Sequence, residues 1–313
     1  MDRQNIQSEE GKRGNRGYLF ILLTALAFSS MEIVGKMTSP QLNPFQLTFL
    51  RFIAGGLFLL PFAIIEIRKK KLALGLKDWG FICLSGFLNV VVSMSFFQLA
   101  VTQGKASMVA VIFSTNFVFT IPFARWILKE KTGKKILLVL PLSLLGLILL
   151  FDPFSSSSDL SGFVPAVLAA VTFSFYTVFN RTRVAKYGGV VLTSLSFISG
   201  SLFLLVGLLT FGLPVLSGIG TGNVFQLLYL GLFVTGIGYL CYFEAIKRTG
   251  AINASMVFMI KPALAPVLAI LILGETISGI PSVGMLLIAL GSGLAILPGK
   301  QLARAARFFR KSA

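Results

Sequence analysis

The 313-residue chain contains no histidine. That removes imidazole metal sites, histidine-ligated haem and histidine acid–base catalysis. Cysteine is nearly missing as well. Cys83 and Cys241 stand singly inside apolar runs, so they read as small buried hydrophobes and not as a disulfide or a metal pair. Charge is scarce, at 12% of residues, where a water-soluble domain carries roughly a quarter. The acids are dispersed, and no clustered pair or nucleophile–base couple is present for catalysis. No G-x-x-x-x-G-K-[ST] segment occurs, so no ATP-driving P-loop is encoded. An enzyme, a cofactor and a metal are therefore not expected.

What the chain has in abundance is apolar length. Hydrophobic residues make up 55%, with 30 Phe and 31 Gly and a mean hydropathy of +0.87. A membrane helix needs about 20 apolar residues for a core of about 30 Å. The sequence predicts an all-α polytopic membrane protein with spans at Tyr18–Met37, Pro44–Ile67, Trp79–Val101, Ser107–Leu128, Ile136–Phe151, Gly162–Thr182, Val190–Phe211, Asn223–Ile246, Ile252–Leu273 and Pro281–Leu297. Residues 1–17 read as a disordered tail. No small-residue cleavage site follows the first apolar run, which is read as a retained span.

The net charge of +17 does not point to nucleic acid, because the basic residues lie between and beside the spans. They fall at Lys12, Arg13 and Arg16, then Arg68–Lys77, Lys129–Lys135, Arg181–Lys186, Lys247–Arg248 and Lys300–Lys311. Apart from Lys105, the intervening loops hold almost none. This alternation predicts both termini on the cytoplasmic side of the cell membrane. Arg304, Arg307 and Arg310 beside Phe308 and Phe309 suit a helix lying on anionic lipid.

The chain also matches itself when slid by the distance from Glu130 to Glu275. Gly17 meets Gly162, Phe28-Ser29 meets Phe173-Ser174, Lys36 meets Arg181 and Phe52 meets Phe197. Gly55 meets Gly200, Gly86 meets Gly231 and Gly146 meets Gly291. The expected organisation is a first five-helix unit over 18–151, an external linker at 152–161, a second unit over 162–297 and a basic tail at 298–313. Five is odd, so the second unit enters the membrane inverted. Inverted repeats are a transporter plan, with the substrate site near the midplane between the halves.

These features resemble the EamA branch of the drug/metabolite transporter superfamily. FSSMEIVGK (Phe28–Lys36) is similar to the family's WG-x-N-F-x-x-x-K pattern, and Lys36 takes its lysine. Arg51-Phe52 resembles its RF pair. Glu130 and Glu275 match its G-E signature, and Ala254-Ser255 with Pro262 its A-S-x-x-x-x-x-x-P pattern. Phe28 replaces the usual Trp, and Glu32 stands where the family is usually apolar. The resemblance implies helices 1–4 and 6–9 around a central cavity, 5 and 10 at the periphery, and export of amino acids or similar solutes.

Lys261 stands out, because a lysine near the bilayer centre costs roughly 2.5–3.5 kcal/mol on insertion scales. It lies about 14 Å from the nearer end of its helix, at about 1.5 Å per residue, and is followed by Pro262 and Pro266. Its repeat partner is Asn116. Two readings hold: Lys261 and Asn116 meet across the axis and bind an anionic group, or Lys261 caps carbonyls freed by the prolines. Glu32 and Arg51 fall at similar depth. They form either a latch, with Glu32 coupling a proton, or a structural bridge of Glu32 to Arg51 or to Lys36 at i,i+4. Asn89, Gln98, Tyr176 and Asn180 line the cavity or bond between helices, and Glu244–Arg248 reads as a surface pair.

The expected function is secondary transport of a small zwitterionic or anionic metabolite by alternating access. The alternatives are a cationic-drug exporter using Glu32 and a scramblase or channel-like protein. The expected partners are a small-molecule substrate, the lipid bilayer and a coupling proton.

Overall fold

The structure, a computed structural model, describes residues 17–129, 136–151, 160–249, 254, 256–277 and 279–296. The N-tail, most of the external linker, the basic C-tail, Glu130 and Ser255 lie outside the described residues. Among the described residues the chain is helical, without strands. Seven helices are long and apolar enough to cross a membrane: α1 (Gly17–Thr38), α2 (Pro44–Lys70), α3 (Leu76–Gln103), α4 (Ala106–Ile127), α6 (Leu160–Arg181), α7 (Gly189–Thr210) and α8 (Val224–Thr249). Three shorter apolar helices, α5 (Ile136–Phe151), α9 (Val257–Leu273) and α10 (Ile280–Ile296), and a single helical turn at Val184–Tyr187 complete the order.

Local chemistry sets these ends. α2 begins with Pro44 at its first turn, and the Asn43 side chain accepts the Phe45 N–H at 2.9 Å. A fixed proline φ and a capping carbonyl suit a helix start. α9 ends at Gly274, which takes φ +65, and its N–H reaches Ile270 O at 3.2 Å. Glycine enters this left-handed conformation without a Cβ clash. α3 and α8 each contain a π-helical stretch, Phe87–Ser93 and Tyr229–Ile237. These two stretches occupy matching places in the repeat.

The tightest helix approaches come in exchanged pairs. A Cβ on Gly86 would stand 2.2 Å from Ser196 O and 2.7 Å from Gly200 N; one on Gly200 would stand 2.3 Å from Gly86 O. The repeat carries Gly86 onto Gly231 and Gly55 onto Gly200. Gly55 and Gly231 also pack on one another, with a Gly55 Cβ falling 3.0 Å from Gly231 O. Gly17 against Thr249 matches Gly162 against Gly104, and Gly146 against Ile288 matches Gly291 against Ser143. The repeat partners Phe52 and Phe197 stack edge to face at 4.7 Å, at the centre of this relation. The contacts therefore follow a twofold exchange of halves. Small residues are what membrane helices use to pack closely, since lipid gives no hydrophobic drive between them.

The α3–α7 approach yields a first expected outcome. Gly86→Ala or Gly200→Ala forces backbone apart at a rigid crossing, and overpacking of this kind costs roughly 1–3 kcal/mol. Melting of the detergent-purified variants checks this; a melting temperature equal to the parent's contradicts the close packing.

The outer surface is apolar, as lipid contact requires. Ile65, Leu209 and Leu286 are each more than 60% exposed. Phe97, Leu59, Val90 and Phe197 lie in the buried core between the halves.

Candidate functional site

A cavity of about 280 Å³ opens between the halves. Its deep end is lined by Arg51, Lys261, Asn116, Phe113 and Tyr239, and its rim by Asn180, Arg181, Val184 and Gly189. Arg181 and Val184 are exposed there. Liquid water occupies about 30 Å³ per molecule, so the space is of a size for a small molecule and too small for a peptide. Ligand pockets generally begin near about 300 Å³.

Charge at the deep end is arranged unevenly. Lys261 Nζ lies 2.7 Å from Glu32 Oε1, and both side chains are buried. This ion pair joins α1 to α9. Glu32 Oε2 has no hydrogen-bond partner. Arg51 is 1% exposed, and its Nη2 donates to Met94 Sδ at 3.5 Å. Its Nε and Nη1 have no hydrogen-bond partner, although the residue lines the cavity. Both cations lie against the Phe97 ring, at 5.9 Å for Arg51 and 5.8 Å for Lys261. Cation–π attraction offsets part of the desolvation, but it satisfies no N–H.

Beyond the ion pair the opposite end is closed. Ile33, Ala106 and Ala269 form a buried apolar plug from α1, α4 and α9. Above it Lys36 Nζ donates to Thr102 O at 2.9 Å and Gly104 O at 2.8 Å, at the C-terminus of α3. α4 starts without a capping side chain of its own, since Lys105 occupies that place. Glu275, from the other half, supplies the cap. Its carboxylate accepts the N–H groups of Ala106 at 2.7 Å and Ser107 at 3.0 Å, and the Ser107 hydroxyl at 2.5 Å. Lys105 Nζ donates to Thr276 O at 2.8 Å. A carboxylate at a helix N-terminus and an ammonium at a helix C-terminus each answer orphan backbone groups and the helix dipole. None of Lys36, Lys105, Ser107 or Glu275 lines the cavity.

At the rim end a different cluster ties the halves. Asp78 at the start of α3 accepts from Lys186 Nζ at 2.5 Å and Tyr187 Oη at 2.6 Å. The Asp78 carboxylate holds the Lys186 ammonium above its ordinary pKa.

The sequence-derived site residues divide as follows. Lys261, Asn116, Arg51 and Tyr176 line one cavity. Glu32 sits behind that lining, on Lys261. The i,i+4 alternative of Lys36 with Glu32 is overturned, because Lys36 is spent on the α3 carbonyls. Asn89 is buried in the π-helical stretch of α3, with both side-chain polar atoms unpartnered, and lies outside the lining. Asn180 lines the rim and also accepts from Ser85 Oγ at 2.7 Å. Glu244 pairs with Arg248 at 3.2 Å and with Lys247 at 2.8 Å, both partly exposed. Sequence reasoning missed the cross-half capping by Glu275. The signal for it was an α4 start at Lys105-Ala106 with no capping residue.

The model of the EamA-like transporter family matches the chain twice, at residues 15–152 and 160–297. The chain belongs to the EamA-like transporter family. An uncharacterized transporter of Clostridium kluyveri is 47% identical to this EamA chain over 285 residues, covering 88% of this chain and 92% of the relative. The uncharacterized transporter YdfC of Bacillus subtilis is 28% identical over 262 residues, covering 82% of each. One solved crystal structure shares the EamA chain's fold at a TM-score of 0.61 and 17% identity, covering 90% of this chain and 96% of that one. Family and relatives together make this a multi-pass membrane transporter.

Proposed function

We propose that this protein is a secondary transporter that moves a small organic solute bearing an anionic group by alternating access. In this reading all ten helices cross the bilayer, and the second half is inverted on the first. By the positive-inside rule, the rim with Arg181 and both termini lie at the cytoplasm. The state described above is then the one open to the cytoplasm and closed to the outside, and the net direction is export.

The observation that carries the reading is a cavity with one rim, a buried guanidinium with two unpartnered nitrogens at its base and a cross-half clamp beyond it. Two exchange-related halves supply a second state of similar energy, in which the clamp opens and the rim closes. Glu32 is the carboxylate positioned to couple a proton, since its charge decides whether Lys261 is held. That pairing also weighs against a cationic-drug exporter, because the lining carries Arg51, Arg181 and Lys261 and no acid among the described residues. An ungated scramblase has no use for the clamp and is insensitive to Lys261→Ala.

Flux into proteoliposomes holding the purified chain tests the proposal. Solute movement that saturates and shows trans-stimulation supports alternating access; linear, unsaturable flux overturns it. Glu275→Ala removes charge-assisted hydrogen bonds worth about 1.5–3 kcal/mol each. A change of about 1.4 kcal/mol moves a two-state balance tenfold. Glu275→Ala is thus expected to shift the resting population at least about tenfold toward the outward-facing state, read by double electron–electron resonance across the clamp. An unchanged distance distribution contradicts the clamp's role.

A further inference from the structure

The chemistry of the cavity separates an organic anion from a zwitterion. We infer that the site takes an apolar monocarboxylate with an aromatic or comparably flat body, and selects it against the matching amino acid and the matching amine. The inference rests on the transporter reading above and narrows its substrate class.

Charge is the first ground. A zwitterion needs a place for its ammonium. Among the described residues no carboxylate lines the cavity. The acid at the deep end, Glu32, lies behind Lys261 with that ammonium 2.7 Å away. An incoming ammonium would therefore meet the charges of Arg51 and Lys261 before it met a carboxylate. A carboxylate meets the reverse situation, because Arg51, in the cavity wall, holds Nε and Nη1 buried without partners, and a small turn of its side chain would bring them to the ligand. Guanidinium and carboxylate fit as a planar fork, and such charge-assisted pairs are the strong hydrogen bonds. A buried donor left unsatisfied is costly, so a carboxylate here both gains its bonds and relieves Arg51.

The walls are the second ground. Nine of the lining residues are aromatic, and Phe52 lies 4.7 Å from the Arg51 guanidinium. Phe28 and Tyr239 continue the aromatic surface, with centroids 5.1 Å apart, and Phe197 backs Tyr239 at 5.2 Å. Uncharged polar lining comes from Asn116, Thr120, Thr177, Asn180, Thr193 and Thr235 beside the tyrosine hydroxyls. A flat apolar body attached to one carboxylate meets the rings along its length and the guanidinium at its end.

Three probes of one skeleton test this: 3-phenylpropionate as anion, phenylalanine as zwitterion and phenethylamine as cation. Binding to the full-length purified chain is measured by isothermal titration, with flux in proteoliposomes alongside. The expected result is 3-phenylpropionate bound at least about tenfold more tightly than phenylalanine, and no binding of phenethylamine. Arg51→Gln is expected to lose that binding by tenfold or more while melting no lower than the parent, and Arg51→Lys to recover part of it. Equal or tighter binding of phenylalanine, binding of phenethylamine, binding of none, or 3-phenylpropionate binding indifferent to Arg51→Gln overturns the inference. Saturable flux of phenylalanine would discard the selectivity against the zwitterion and leave the transporter reading standing, whereas saturable flux of phenethylamine would discard the anionic substrate class and leave only alternating access. Linear flux of all three would discard both.

Discussion

Arg51→Gln is expected to abolish transport and, in the same protein, to leave the fold as stable as before or more so. The two effects have one cause. Arg51 is a buried cation whose Nε and Nη1 lack acceptors. Removing a buried ionic group that is poorly paired is often neutral or stabilising. On the proposed anion binding, the substrate loses two charge-assisted bonds of about 1.5–3 kcal/mol each, which amounts to roughly a hundredfold or more in affinity. Melting of the purified variant and flux in proteoliposomes measure the two sides separately. A variant that melts lower than the parent, or that transports as well, contradicts a guanidinium held ready for a ligand. Functional sites keep strain of this type at the cost of stability.

The second large effect concerns the ion pair between α1 and α9. Lys261→Met leaves Glu32 buried without its cation, and Glu32→Gln leaves Lys261 without its anion. Breaking a buried pair from one side costs about 3–5 kcal/mol. The double variant Glu32→Gln with Lys261→Met removes both charges and is expected to regain most of that stability. The double-mutant cycle then reports a coupling energy of at least about 1 kcal/mol, measured by thermal or denaturant unfolding in detergent. Additive single effects contradict direct pairing. The double variant is expected to fold yet to lose any dependence of flux on a pH gradient, because Glu32 is then absent.

Much of this fold is legible in the residues. Apolar run length sets the helices, and the ends of α2 and α5 and the C-terminal end of α9 fall within a few residues of the sequence reading; the expected start of the ninth span, Ile252, lies outside the described residues. The self-match of the chain locates the halves, and the glycines that coincide under it are ones on which helices cross closely. The depth of Lys261 and Arg51 follows from counting residues at about 1.5 Å each, and both line the cavity.

Pairing is less legible. Glu32 and Lys261 stand in opposite halves of the chain, and depth alone leaves Glu32 several cations to meet. Which one it meets depends on how α1 and α9 rotate about their axes, a property of packing and not of spacing. Lys36 is the nearest candidate along the helix, but the free carbonyls ending α3 claim it. Glu275 carries a motif without a mechanism until the uncapped start of α4 is set beside it. On the proposed alternating access, the side on which the rim opens depends on the state adopted, and near-equivalent halves leave no mark of that choice in the sequence.

Exchange-related halves that enclose a pocket reachable from one side, barred on the other by the Glu275 clamp, make a sharp demand on access. Sided labelling tests it most directly, using Asn116→Cys in a chain whose Cys83 and Cys241 are replaced by alanine. In oriented vesicles a membrane-impermeant thiol reagent is expected to reach the introduced thiol from the face bearing Arg181 and Gly189. From the opposite face it should react only after Glu275→Ala. Reaction from the clamp face with Glu275 intact, or from neither face in any variant, contradicts a one-sided pocket.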